Sequence, residues 1–227
     1  TYIISKTIHI NKRFIIEGEG SGGNPQLADN VGMTVLKLAD NADCNMFELD
    51  PASSPPAKTT HYQLSVFKHL HFDGNKDNQS ANVTAIKQNL GSAVDILFYD
   101  LWFDRWKGSC ISLAQYWDHL LLRCVFEHND GAAIEVILSD DGAPVSTYIQ
   151  NCFFADNYNV IKVVGSGNLA SNWIFANNIV TSNYKSLIQI PGENFIMSNN
   201  VIWLEPDTDD VYDVLLLDTS IYNRQLY

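Results

Sequence analysis

Blocks of nine residues with one shared order of apolar and polar positions recur at 64–72, 95–103, 118–126, 146–154, 172–180 and 194–202. They align without gaps as LSVFKHLHF, DILFYDLWF, DHLLLRCVF, STYIQNCFF, NWIFANNIV and NFIMSNNVI. Their starts are separated by 31, 23, 28, 26 and 22 residues. A fixed unit at varying spacing marks a solenoid whose insertions fall in loops. The fourth column holds Phe67, Phe98, Leu121, Ile149, Phe175 and Met197. The ninth holds Phe72, Phe103, Phe126, Phe154, Val180 and Ile202. Large apolar groups at one height of every coil stack into a continuous core, each stabilising the fold by roughly 1.5–3 kcal/mol on burial.

A second strand follows each block at a steady offset. Ile111, Ile134, Ile161 and Ile188 form its ladder, and the next residue in each coil (Ser112, Glu135, Lys162, Gln189) is expected to face water. That period-2 alternation is a strand signal. Between the two strands, Asn75, Asn129, Asn157 and Asn183 share one height, with Trp106 in their place in one coil. Asn tolerates the left-handed backbone of a sharp corner and can bond along a stack. The seventh column pairs Cys124 with Cys152 and Asn178 with Asn200. It reads as an interior stack in which the thiols are either free or bridged, since adjacent coils lie about 4.8 Å apart.

The ends continue the pattern. Strand-like stretches occur at 7–10, 14–20, 34–38, 45–49 and 214–217, while 51–61 reads as a loop and 84–90 as a short helix or insert. The whole chain, 1–227, therefore reads as one all-β domain, a single-stranded parallel β-helix of roughly eight coils. It starts at Thr1 without an initiator Met, as a processed piece or fragment of a larger protein would.

Charge narrows the partners. With 26 acidic against 14 basic residues the net charge is −12. Nucleic acid is repelled by such a surface. Neutral or cationic glycans suit it, and anionic ones would need a divalent metal between. No apolar run reaches the roughly 18 residues that membrane insertion needs. None of the four cysteines forms a CxxC pair, so no metal site is read from them.

The opening TYIISKTIHINKRFIIEGEG, the HLHFDGN stretch at 69–75 and the repeated NCFF, NNIV and NNVI units are the basis of a family resemblance. On them the chain resembles the pectate-lyase-like right-handed parallel β-helix superfamily, which includes polysaccharide lyases, polygalacturonases and phage tailspike depolymerases. The resemblance implies a right-handed coil, a polysaccharide or cell-surface glycan as partner, and an extracellular, cell-surface or virion location. It gives no catalytic residue. Trp117-Asp118-His119 lacks the spacing of the lyase motif, and the Asn-Thr-Asp, Asp-Asp and Gly-His-Gly set of polygalacturonases is missing.

Candidate chemistry lies just past the ninth column, where Asp73, Asp104 and Glu127 occupy one height in successive coils. Carboxylates on adjacent rungs, roughly 5 Å apart, split their pKa values and so supply an acid and a base. They are the catalytic candidates. The same row offers oxygen ligands for Ca²⁺, which in the lyase relatives bridges an anionic sugar to the wall. Around them His71, Trp102, Arg105, Trp106 and His128 would bind substrate, and Tyr158 and Tyr184 at equivalent corners would form a stacking platform. The competing reading makes the carboxylates ordinary turn residues that share a height through repeat ancestry. The outward apolar column of Val125, Phe153, Ile179 and Val201 suggests instead a non-catalytic spike, fibre or adhesin segment that assembles as a homotrimer.

Overall fold

The computed structural model describes residues 1–20, 33–50, 62–89, 94–114, 118–139, 146–166, 170–181, 188–189, 192–203 and 215–216. Every strand pairing among them is parallel, each strand lying beside its counterpart one coil away. The chain is a parallel β-helix with three walls. The first wall runs through Tyr2–Ile4, Val35–Leu38, the end of Tyr62–Asp73, the end of Val94–Asp104, the start of Val125–Leu138, the start of Phe153–Gly165, Ile179–Thr181 and Val201–Trp203. The second wall runs from Ile8–Ile10 through Phe47–Leu49, Ile86–Gln88 and Ile111–Leu113 to Leu215–Leu216. The third includes Ile15–Glu17, His119–Leu122, Thr147–Gln150 and the end of Gly192–Ser198.

The two repeat columns hold their register throughout. Phe67 pairs with Phe98, Phe98 with Leu121, Leu121 with Ile149 and Phe175 with Met197. Phe72, Phe103, Phe126 and Phe154 are fully buried, with ring centroids 4.9, 4.9 and 5.0 Å apart and planes within 6° of parallel. Such offset stacking adds about 0.5–1.5 kcal/mol per pair to the burial of the rings. The isoleucine ladder holds as well, and Ile86 extends it by one coil. Within the stretch at 84–90, Ile86–Gln88 is thus second-wall strand rather than helix. Its apolar alternation is only three residues long, too short to show a period.

Each nine-residue block is bent, not straight. Its sixth residue (His69, Asp100, Arg123, Asn151, Asn177, Asn199) has φ between 52° and 57° in all six blocks. One left-handed residue turns the chain from the third wall to the first.

At the next corner the expected left-handed Asn is found, among the described residues of that column, only at Asn75, with φ 50°. In the following coils the turn falls one residue earlier, on Arg105, His128 and Asp156. Asn129 and Asn157 point inward and form the ladder, Asn129 Nδ2 donating to Asn157 Oδ1 at 2.7 Å. Asn157 Nδ2 continues to the Phe126 carbonyl at 2.9 Å. Asn183 lies outside the described residues.

Ser112 is a further correction, since it is buried beside Glu135 instead of facing water; the Glu135 carboxylate accepts from its hydroxyl at 3.3 Å. Cys124 and Cys152 are free, buried thiols. Burial, together with the neighbouring Cys152, pushes the Cys124 thiol well up. Asn178 and Asn200 bond in the same stack at 3.1 Å.

Candidate functional site

Columns eight and ten of the first wall point outward, on either side of the buried phenylalanines. They set His71 beside Trp102 and then Val125, and Asp73 beside Asp104 and then Glu127. The carboxylate row therefore exists on three consecutive coils, as the repeat register requires. Its members are not equivalent.

Asp73 is a structural anchor. Its Oδ1 accepts from the Asn75 backbone N–H at 2.8 Å and its Oδ2 from Arg105 Nη2 at 2.5 Å. The same guanidinium brings Nε within 3.5 Å of Asp104 Oδ2. The guanidinium occupies Asp73 Oδ2 and crowds Asp104 Oδ2, the oxygens a divalent ion would need as ligands, so this row does not fit Ca²⁺. Asp104 turns its other oxygen to His128 Nδ1 at 3.1 Å, and His128 Nε2 lies 3.7 Å from Asp156. His128 is thereby held at the corner by two carboxylates, with more than half its side chain exposed.

Glu127 has a different environment. It is only 6% exposed, and its Oε2 lacks a hydrogen-bond partner. Burial first, and then Asp104 and Asp156, push its carboxyl above the ordinary range, against the pull of His128. The Trp102 indole N–H approaches closely enough to favour the ionised form, yet it makes no hydrogen bond of normal geometry.

His71 stacks on Trp102 with centroids 4.3 Å apart and planes 10° from parallel. Burial holds its pKa below the ordinary value, although Asp104 and Asp73 pull upward. Neither of its ring nitrogens has a hydrogen-bond partner. A buried polar atom left unpaired costs about 1–3 kcal/mol. His71, Trp102 and Glu127 gather such atoms at one place on the outer wall.

Trp106 does not belong to this face. It is fully buried, donates its indole N–H to the Phe72 carbonyl at 3.0 Å, and fills the corner that Asn fills elsewhere. A corner that turns inward can take a large ring, and the alignment alone does not distinguish that from an outward one. Tyr158 is exposed and lines a groove of about 360 Å³ with Lys76, His128, Asn129, Asp130 and Asp156. Tyr184 lies outside the described residues.

Sequence reasoning missed Asp156 and Lys76. Asp156 follows Arg105 and His128 in the left-handed corner column, and that column was the signal. Also unforeseen is a His and carboxylate group on the second wall, where His9, Glu48 and Asp50 bring one donor atom each within 4.8 Å of one another. His9 Nδ1 meets Asp50 Oδ2 at 2.8 Å, and Asn45 Nδ2 donates to Glu48 at 2.7 Å.

No family model matches the chain, and no curated protein does. Among solved structures it is similar to two A-modules of mannuronan C-5 epimerases from Azotobacter vinelandii. With that of AlgE4 it shares 16% identity over 86% of this chain and 68% of the other, at a TM-score of 0.38. With that of AlgE6 the figures are 12%, 92% and 84%, at a TM-score of 0.30. Scores this low carry no weight for function. The β-helix rests on the strand register itself.

Proposed function

We propose that this chain is a glycan-interacting β-helix module that acts on a polysaccharide at the outer face of its first wall. One observation supports it above the others: Glu127 is buried, leaves its Oε2 without a hydrogen bond and is shifted toward its protonated form next to the Asp104–His128 pair. A carboxyl that keeps its proton beside a group able to take one is the division of labour acid/base catalysis needs. Glu127 gives the proton, His128 receives one, and Asp104 holds the imidazole in place. The stacked His71 and Trp102 offer aromatic surface beside them.

The test is a panel of charged and neutral polysaccharides incubated with the chain and assayed for new reducing ends and for unsaturated products. Activity that disappears in the double variant Asp104→Asn, Glu127→Gln supports the site. Full retention by that variant removes it.

A second reading has its own support. Ile179, Val201 and Trp203 are 47%, 60% and 66% exposed along the far end of the same wall. An apolar strip of this kind suits a spike or fibre segment whose copies associate, and sedimentation at rising concentration tests for the trimer it predicts.

A further inference from the structure

We infer, resting on the reading above, that the first-wall site takes an uncharged glycan and that its chemistry is hydrolysis, not elimination. The inference starts from where the cations are. Eliminating a sugar chain removes a proton beside a uronate carboxylate, and a wall already rich in carboxylates holds that anion well only where positive charge is free to meet it.

Each described cation on this face is already engaged. Arg105 serves Asp73 and Asp104, and Lys37 Nζ lies 4.0 Å from Asp73. Lys76 Nζ donates to Asp130 at 2.7 Å and to the His128 carbonyl at 2.9 Å. Further round the corner, Lys107 Nζ donates to the Gln79 carbonyl at 2.6 Å. An anionic sugar would meet the carboxylates of Asp104, Glu127, Asp130 and Asp156 and no spare positive charge among the described residues.

Arg105 Nε makes no hydrogen bond but stays 3.5 Å from Asp104 Oδ2, and the other unsatisfied atoms are of another kind. The indole N–H of Trp102, both ring nitrogens of His71 and Oε2 of Glu127 are buried polar atoms without partners. Burial shifts Glu127 toward its protonated form and His71 toward its neutral one, which makes these donors and acceptors a complement of sugar hydroxyls. The flat His71–Trp102 pair and the neighbouring Val125 and Phe153 add apolar surface for sugar C–H faces.

The reaction then balances without a metal or redox partner. Glu127 gives its proton to the glycosidic oxygen as the bond from that oxygen to the anomeric carbon breaks. The oxygen of a water bonds to the anomeric carbon, and His128, steadied by Asp104, takes the proton that water loses. Exchange with solvent then returns a proton to Glu127 and removes one from His128.

Affinity electrophoresis and product assays on the full chain decide it, using neutral glucans, mannans, galactans and xylans beside polyuronates, each with Ca²⁺ or with a chelator. The expected result is retention by a neutral glycan, indifferent to Ca²⁺, with reducing ends and no unsaturated product. The variant Asp73→Asn, which frees Arg105, should raise polyuronate retention by about threefold to tenfold, with far-ultraviolet circular dichroism confirming that it folds. Wild-type chain that binds a polyuronate and releases unsaturated ends overturns this inference and leaves the proposed function standing. Wild-type chain that binds no member of either set overturns both.

Discussion

Arg105 reaches back one coil to place its Nη2 on Asp73, although its nearest acidic neighbour in sequence is Asp104. The pair ties two coils together across the outer face, and Asp73 is nearly buried while Arg105 is partly exposed. Replacing Arg105 with Met leaves a buried carboxylate without its strongest partner. Urea unfolding should show a loss of about 2 kcal/mol, discounted from the full cost of a buried pair because the guanidinium meets solvent. Most of that loss should return in Asp73→Asn, Arg105→Met, and failure to recover would mean that the pair is not what holds the coils.

Glu127 ties stability to pH. Its folded pKa stands above the ordinary 4.5, so the native state holds a proton that the unfolded chain has already released. Stability therefore falls as pH rises from 4.5 toward the folded value, and stays lowered above it. Glu127→Gln should remove that loss. Melting temperatures across pH should show the variant gaining on the parent above the ordinary Glu range, and identical profiles would contradict the raised pKa.

His71 acts at the other end. Its folded pKa lies below the ordinary 6.5, so the unfolded chain takes up the proton first on acidification. The stability from keeping it neutral is complete above 6.5 and is lost as pH falls from there toward the folded value. In His71→Phe the ring still stacks on Trp102, and the same melting series should show a flatter limb over that window.

The two kinds of asparagine predict unequal costs. Asn157 Nδ2 satisfies the Phe126 carbonyl and its Oδ1 accepts from Asn129, all within the buried corner. Asn157→Ala orphans both partners and should cost about 2–4 kcal/mol in denaturant unfolding. Asn194 makes one exposed bond to Asn172 at a left-handed position. There Asn194→Gly should cost less than about 0.5 kcal/mol. Equal losses would show that the corner ladder is not a buried network.

The phenylalanine column and the isoleucine ladder were readable from the sequence because a solenoid repeats its core in register, so one alignment fixes many contacts. The carboxylate row followed from the same alignment, as the pairing of Asp73, Asp104 and Glu127 shows. What the row does was not readable. Alignment gives the height of Asp73 but not the long side chain of Arg105 that folds back onto it. Trp106 was misplaced for a related reason: it occupies an Asn column, and whether that column faces in or out depends on which corner residue is left-handed. That assignment moves from Asn75 to Arg105, His128 and Asp156 within four coils. Ile86 was missed because three residues cannot display a period.

The left-handed sixth residue has one more implication. In all six blocks the chain changes direction there after the same number of steps, whereas one coil earlier it runs from Glu17 to Val35 across the edge that the next coil crosses from Lys68 to His71. The unequal spacing of 22 to 31 residues is carried elsewhere, as between Leu113 and His119 or between Leu138 and Thr147. From Tyr62–Asp73 onward one edge is thus a spine of constant length, and the others are free to lengthen. Extra segments grafted there should change what the surface presents while the spine keeps the scaffold in step.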